Sequence, residues 1–263
     1  MTKKVAMIFG GTGAIGSAVA RALIDRDYRV HLCARDAAEL DRTVDTLRSA
    51  GGTAEGIAAD VLDLDDLSGK MRALADQVGD ISVAINATGF AHEQGKGIDD
   101  LTLPEFFSGI TPFLTAQFNI AKSIAPFMGR SGPGKIITMV APAGGMAVPG
   151  HLGHTVGCAG MEAFDRVLAS ELGPRNIRVI TVRSHAISDA AAQGSYTREV
   201  FEPKAKAMGL TLDEFLAGAA KSTMIDRLPS LSEVAGTIAY LASADADAMT
   251  ASIVNLTGGA TFS

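Results

Sequence analysis

The chain has 263 residues, 47% hydrophobic and 20% charged, which excludes wholesale disorder and fits one large α/β domain or two small ones. A net charge of −6 without any Lys/Arg cluster excludes a phosphate-tracking nucleic-acid surface, and no apolar run approaches the roughly 20 residues that span a bilayer. Two cysteines give no disulfide framework, and the first strand opens at Val5 with no room for a leader, so a soluble cytoplasmic protein is expected.

Short β-branched runs alternate with longer helical stretches. Strands are expected at Val5–Phe9, Arg29–Cys33, Thr53–Ala59, Ile81–Asn86, Lys135–Val140, Ile177–Val182 and Ser252–Leu256. Each is a near-continuous apolar run, the pattern of parallel strands covered on both faces. Helices are expected at Ala14–Arg26, Ala37–Ala50, Asp63–Val78, Leu103–Met128, Leu152–Leu172 and Leu231–Ser243. This order predicts right-handed βαβ units in a Rossmann-type, doubly wound parallel α/β sheet of about seven strands. No linker or repeat divides residues 1–263, so a single domain is expected, with an inserted helical lid at 186–227 carrying Phe201, Met208, Leu212, Phe215 and Met224.

The first strand runs into Gly10-Gly11-Thr12-Gly13-Ala14-Ile15-Gly16. Glycines there permit a sharp turn, close backbone approach to a pyrophosphate and tight helix packing, with the helix N-terminus facing the negative charge. Gly-x-Gly-x-x-Gly alone is weak; between a strand and an alanine-rich helix it has the context that gives it meaning. About 20 residues further on, a dinucleotide fold offers an acid to the adenosine ribose or a cation to a 2′-phosphate. Ala34 stands where the acid belongs and Arg35 follows it, which favours NADP(H) over NAD(H). A solvated Arg35, with Asp36 swinging round to the ribose, is the alternative.

With these landmarks the chain resembles the short-chain dehydrogenases/reductases over essentially its whole length. Asp60-Val61 looks like that family's adenine-contacting pair, and Asn86-Ala87-Thr88-Gly89 is similar to its segment after the fourth strand. Arg227-Leu228-Pro229, Glu233-Val234-Ala235 and Val254-Asn255-Leu256-Thr257-Gly258-Gly259 also resemble family sequence, while Ala14 replaces one glycine of the commonest loop. The resemblance implies a cofactor site at Gly10, Thr12, Gly13, Ile15, Gly16, Arg35, Asp60, Val61, Asn86 and Ala87. The family's usual catalytic set is a Ser, a Tyr-x-x-x-Lys pair and often an Asn. Alignment puts Ala141, His154, Cys158 and Phe113 at those positions, and Ser184-His185 where a Pro-Gly is usual. None of Tyr28, Tyr196 and Tyr240 is followed by a Lys four residues later; Tyr28 begins a strand, Tyr240 is expected on the late helix beside the apolar core, and only Tyr196 is placed to visit the site.

Near the expected cleft stand His92, His151, His154, Cys158, Arg183 and His185, with His31 inside a strand. His154 is the candidate acid, because imidazole titrates near neutrality; filling the pocket without moving a proton is the competing role. Cys158 reads as a packed thiol with no local cation to activate it. His151, His154 and Cys158 have zinc-like spacing, but Pro149-Gly150 and Gly153 put His151 ahead of the helix, so no metal is assigned. Two function classes stay open: an NADP(H)-dependent reductase of an activated C=C, C=N or carbonyl group in a small apolar substrate, and a dinucleotide-binding protein that transfers no hydride. A non-redox chemistry in the same pocket is a third variant. Apolar surfaces over more than one face of 103–128 and 152–172 predict a homodimer or homotetramer, with neither nucleic acid nor membrane as partner.

Overall fold

The computed structural model describes residues 3–193, 195 and 197–262. Its strands are β1 (Lys4–Phe9), β2 (Tyr28–Ala34), β3 (Ala54–Ala58), β4 (Val83–Asn86), β5 (Gly134–Val140), β6 (Ile177–Ser184) and β7 (Ser252–Leu256). They pair in the order β3-β2-β1-β4-β5-β6-β7, every neighbour parallel. The order reverses between β1 and β4, the place where such sheets open a crevice at their carboxyl ends. Helices α1 (Ala14–Ile24), α2 (Ala37–Ser49) and α9 (Leu231–Ala242) cover one face. The other face is covered by α3 (Leu64–Val78), α5 (Thr111–Ile124) and α6 (Leu152–Leu172). Alternation along β1 divides its side chains between the two cores: Ala6 and Ile8 go to one, Val5, Met7 and Phe9 to the other.

Three expectations change. The stretch 103–128 is two helices, α4 (Leu103–Ser108) and α5, followed by a short 3-10 turn at Ala125–Phe127. Pro112 lies in the first turn of α5, where its missing N–H costs nothing but where a through-going helix is impossible. The edge strands β3 and β7 are only half covered, since each has a sheet neighbour on one side alone. Tyr240, expected beside the core, is exposed on α9; Tyr28 is buried, and its hydroxyl donates to the Ala242 carbonyl at 2.7 Å.

The inserted region forms α7 (Thr197–Ala207) and α8 (Leu212–Ala220), joined by Phe201 and Phe215 with ring centroids 5.6 Å apart. Of its apolar residues, Met208 and Met224 face solvent. Tyr196 lies outside the described residues.

One contact sets the position of α6. A Cβ on Gly157 would lie 2.0 Å from the Gly109 carbonyl oxygen, and one on Gly109 would lie 2.6 Å from the His154 nitrogen. Backbone therefore rests on backbone where α6 crosses the α4–α5 junction. Gly157→Ala should cost about 1–3 kcal/mol through overpacking. Gly236→Ala, in mid α9 with nothing within 4 Å, should stabilise by about 0.5–1 kcal/mol. Denaturant midpoints of the two variants should move in opposite directions; a shared direction contradicts the packing described.

Candidate active site

The glycine loop closes on itself. Gly10 has φ +75°, and the Gly10 and Gly11 amides both donate to the Cys33 carbonyl at 3.0 Å. A Cβ on Gly16 would lie 2.2 Å from the Gly10 oxygen, so Gly16 supports the loop from beneath. Gly13 caps α1 without a side chain, and among the described residues the amides of Ala14, Ile15 and Gly16 have no backbone acceptor. Such a helix end suits an anion.

An open groove runs past Gly10, Thr12, Gly13, Arg35, Val61 and Ala87. Arg35 is exposed and makes no hydrogen bond or ion pair among the described residues. Asp36 accepts from the Glu39 amide at 2.9 Å as the cap of α2, which occupies the carboxylate otherwise available to a ribose. Glu39 also borders the groove and sets a negative charge near Arg35.

Four expected cofactor residues, Ile15, Gly16, Asp60 and Asn86, do not line this groove. Asp60 turns its carboxylate back onto the Leu62 amide at 2.9 Å. Asn86 is 98% buried, with its amide spent on protein groups. Ile15 faces the second cavity instead.

That cavity, an inner cleft, meets the groove at Ala87 and Thr88, which line both. Phe113, Ala141, His154 and Cys158 all line it, as do Ser184 and His185. The four positions singled out by alignment are therefore brought together. No Asp, Glu, Lys or Arg lines the cleft among the described residues. Of the four histidines expected there, three line it. His151 is the N-cap of α6, its Nδ1 3.0 Å from the Pro149 oxygen and its Nε2 accepting from Lys204 Nζ at 3.0 Å. No group of three or more His, Cys, Asp or Glu is placed to hold a metal among the described residues. Arg183 is withdrawn into a bidentate pair with Glu162, at 2.7 and 2.9 Å, and donates to the Phe262 carbonyl.

His154 stacks on His92 with centroids 4.1 Å apart and planes 19° from parallel; Phe113 stands edge-on to His92. Burial, reinforced by His92, His151 and Lys204, lowers the His154 pKa to about 3. Cys158 Sγ lies 3.7 Å from its Nε2, and burial pushes that thiol up to about 12. Both are neutral near pH 7, which corrects the expectation of an imidazolium donor titrating near neutrality. A neutral ring still carries one N–H. In His92, Nδ1 donates to the Phe90 carbonyl at 2.8 Å and Nε2 accepts from Gln94; in His185, Nδ1 accepts from the Ala186 amide, leaving the proton on Nε2.

Residues 11–261 match the family described as enoyl-(acyl carrier protein) reductase. A Streptomyces virginiae protein named as a ketoacyl reductase of the monensin polyketide synthase is 30% identical over 261 residues, 98% of this chain and 97% of that one. The chain is a short-chain dehydrogenase/reductase. Among solved structures, sorbitol-6-phosphate 2-dehydrogenase from Erwinia amylovora superposes with a TM-score of 0.87 at 20% identity, over 98% of this chain and all of the other. An actinorhodin polyketide ketoreductase variant with NADPH gives 0.81 at 25% identity, over 98% and 97%. This short-chain dehydrogenase/reductase thus shares its fold and family with oxidoreductases. No helix among its described residues is long and apolar enough to cross a membrane.

Beneath the cleft of this short-chain dehydrogenase/reductase lies a polar layer that sequence reasoning missed. Asn86, Thr138 and Thr181 are in register across β4, β5 and β6, and all are buried. Gln117 of α5 and Asp165 of α6 close over them. Gln117 Nε2 donates to Thr138 Oγ1 at 2.8 Å and to Asp165 Oδ1 at 2.5 Å, and Thr181 donates to Asp165 Oδ2 at 2.8 Å. The readable signal was a polar residue on an apolar stripe, since Asp165 continues the buried face of His154, Cys158 and Met161.

Burial pushes the Asp165 carboxyl up to about 6 from 3.8. The folded state therefore holds this proton more tightly than the unfolded chain. Stability is greatest below about pH 4 with respect to this group and declines as pH rises through about 6. Asp165→Asn should accordingly raise stability at pH 7.5 by on the order of 1–2 kcal/mol, with the difference fading towards pH 4. Thermal melts across this range check it. A variant less stable than wild type at pH 7.5 would contradict the cost assigned to the buried charge.

Proposed function

We propose that this protein is an NADP(H)-dependent reductase of a small, uncharged, apolar substrate bearing an activated C=C, C=N or carbonyl group. The observation that carries this reading is a cleft without full charges among the described residues, which meets the glycine-loop groove at Ala87–Thr88. The glycine loop, bare at Gly13 and backed by Gly16, fits a pyrophosphate, and Arg35 fits a 2′-phosphate. A bound nicotinamide dinucleotide supplies the hydride; the chain's own residues bind, orient and exclude water.

This is a divergent family member that works without the Ser and Tyr-x-x-x-Lys set, because Ala141, His154 and Cys158 occupy the corresponding wall. His154 offers a neutral N–H to the substrate atom on which negative charge develops, and the apolar wall strengthens that hydrogen bond. Hydride acceptance by an enone or iminium makes the smallest demand on a separate proton donor, so those substrates suit the site best. The same reading includes a homodimer or homotetramer, supported by Phe118, Val156 and Val167, which are exposed on α5 and α6.

Two outcomes test the reading. Arg35→Ala should weaken NADPH by on the order of 1.5–3 kcal/mol, the worth of a charge-assisted phosphate pair, and leave NADH little changed. Calorimetry decides it, and equal wild-type affinities for the two cofactors would contradict the role of Arg35. With a panel of enones, imines and quinones, NADPH consumption by wild type should be flat from pH 5 to 8 with respect to His154. His154→Phe should lower turnover by about 10²-fold while NADPH binding is retained. Unchanged turnover in that variant would remove His154 from the chemistry.

A further inference from the structure

The geometry points to Asp165 as a positioning residue that acts through Gln117 and Asn86 to fix the turn at Ala87–Gly89, where the groove and the cleft meet. This inference stands on the reading that the groove binds a nicotinamide dinucleotide.

Asn86 and Gln117 carry amides that can each be turned two ways. In the structure both are turned consistently. Asn86 Nδ2 donates to Gln117 Oε1 at 2.7 Å, which leaves Asn86 Oδ1 to accept from the Thr88 amide at 3.0 Å and from the Thr88 hydroxyl at 2.6 Å. Gln117 in turn gives its Nε2 protons to Thr138 Oγ1 and Asp165 Oδ1. The Thr138 hydroxyl can donate or accept and so imposes no direction. An ionised carboxylate only accepts, so Asp165 prevents Gln117 from presenting its oxygen there. The order is passed from Asp165 to Gln117, to Asn86, and so to Thr88.

The place of this chain in the fold gives it a use. Gln117 lies four residues beyond Phe113, and Asp165 four beyond Met161, so each sits one helical turn below a cleft-lining side chain. Thr88 borders both the groove and the cleft. Every member from Asn86 to Asp165 is buried, and no cation pairs with Asp165 among the described residues. Packing alone would be served by an apolar residue. A one-way acceptor is what the amide order requires.

The experiment compares two ligands by calorimetry: NADPH, and adenosine 2′,5′-bisphosphate, which reaches only the Arg35 end. Asp165→Leu and Gln117→Leu should each weaken NADPH about tenfold, the worth of one well-placed hydrogen bond, while the bisphosphate binds as to wild type. Asp165→Asn, whose amide can turn either its oxygen or its NH2 towards Gln117, should weaken NADPH by less than Asp165→Leu does. Thr88→Val, at a half-buried position that tolerates the change, should show the same selective loss if the leucine variants do not fold. NADPH affinity equal to wild type in Thr88→Val and in any folded leucine variant overturns the inference, as does parallel weakening of both ligands. A wild type that binds neither ligand overturns the dinucleotide reading as well; a wild type that binds both while Asp165→Leu matches it overturns this inference alone.

Discussion

His154 is held in a wall where backbone touches backbone. Its helix meets the α4–α5 junction without intervening side chains, at Gly109, Gly153 and Gly157, and its ring is stacked on His92 with only 6% of the residue exposed. Water has little access to that imidazole, and the nearby His92, His151 and Lys204 would oppose a positive charge on it. The chemistry open to the cleft follows from this one arrangement. Its walls stabilise developing charge through hydrogen bonds and oriented dipoles rather than through a resident ion, and substrates that arrive already polarised benefit most.

The groove obeys a different rule. It is lined by the glycine loop at Gly10–Gly13, ahead of α1, and by Arg35, whose exposed guanidinium has no partner among the described residues. Among the described residues the two halves share Ala87 and Thr88, just past the end of β4 beside the switch point of the sheet. The buried layer of Asn86, Gln117, Thr138, Asp165 and Thr181 lies directly under that junction. It links β4, β5 and β6 to α5 and α6 through side chains, so the floor is tied to the wall that carries His154.

Much of this was legible in the sequence, because the signals are local. The glycine loop sits between β1 and α1, and α6 and β7 occupy the residues expected for them, Leu152–Leu172 and Ser252–Leu256. The convergence of Phe113, Ala141, His154 and Cys158 on one cleft also followed from alignment along ordered landmarks. What escaped were matters of tertiary contact. The helix break before Pro112 serves a crossing with α6 more than 40 residues away in sequence. Asn86 was read as a cofactor ligand, yet its amide is consumed by Gln117 and Thr88, which only the folded neighbourhood reveals. The environment of His154 was likewise out of reach: a residue type suggests titration near neutrality, whereas burial among folded neighbours lowers its pKa.

The claim on which the rest turns is that the cleft is lined by neutral imidazoles. Heteronuclear NMR of protein with ¹⁵N-labelled histidine, titrated from pH 4.5 to 8 and assigned with His154→Phe, tests it without any substrate or cofactor. The His154 ring nitrogens should keep the shifts of a neutral imidazole across the whole range. A His154 signal that moves to the imidazolium position with a midpoint between 6 and 7 would contradict the apolar, charge-free cleft and restore a titrating acid at its centre.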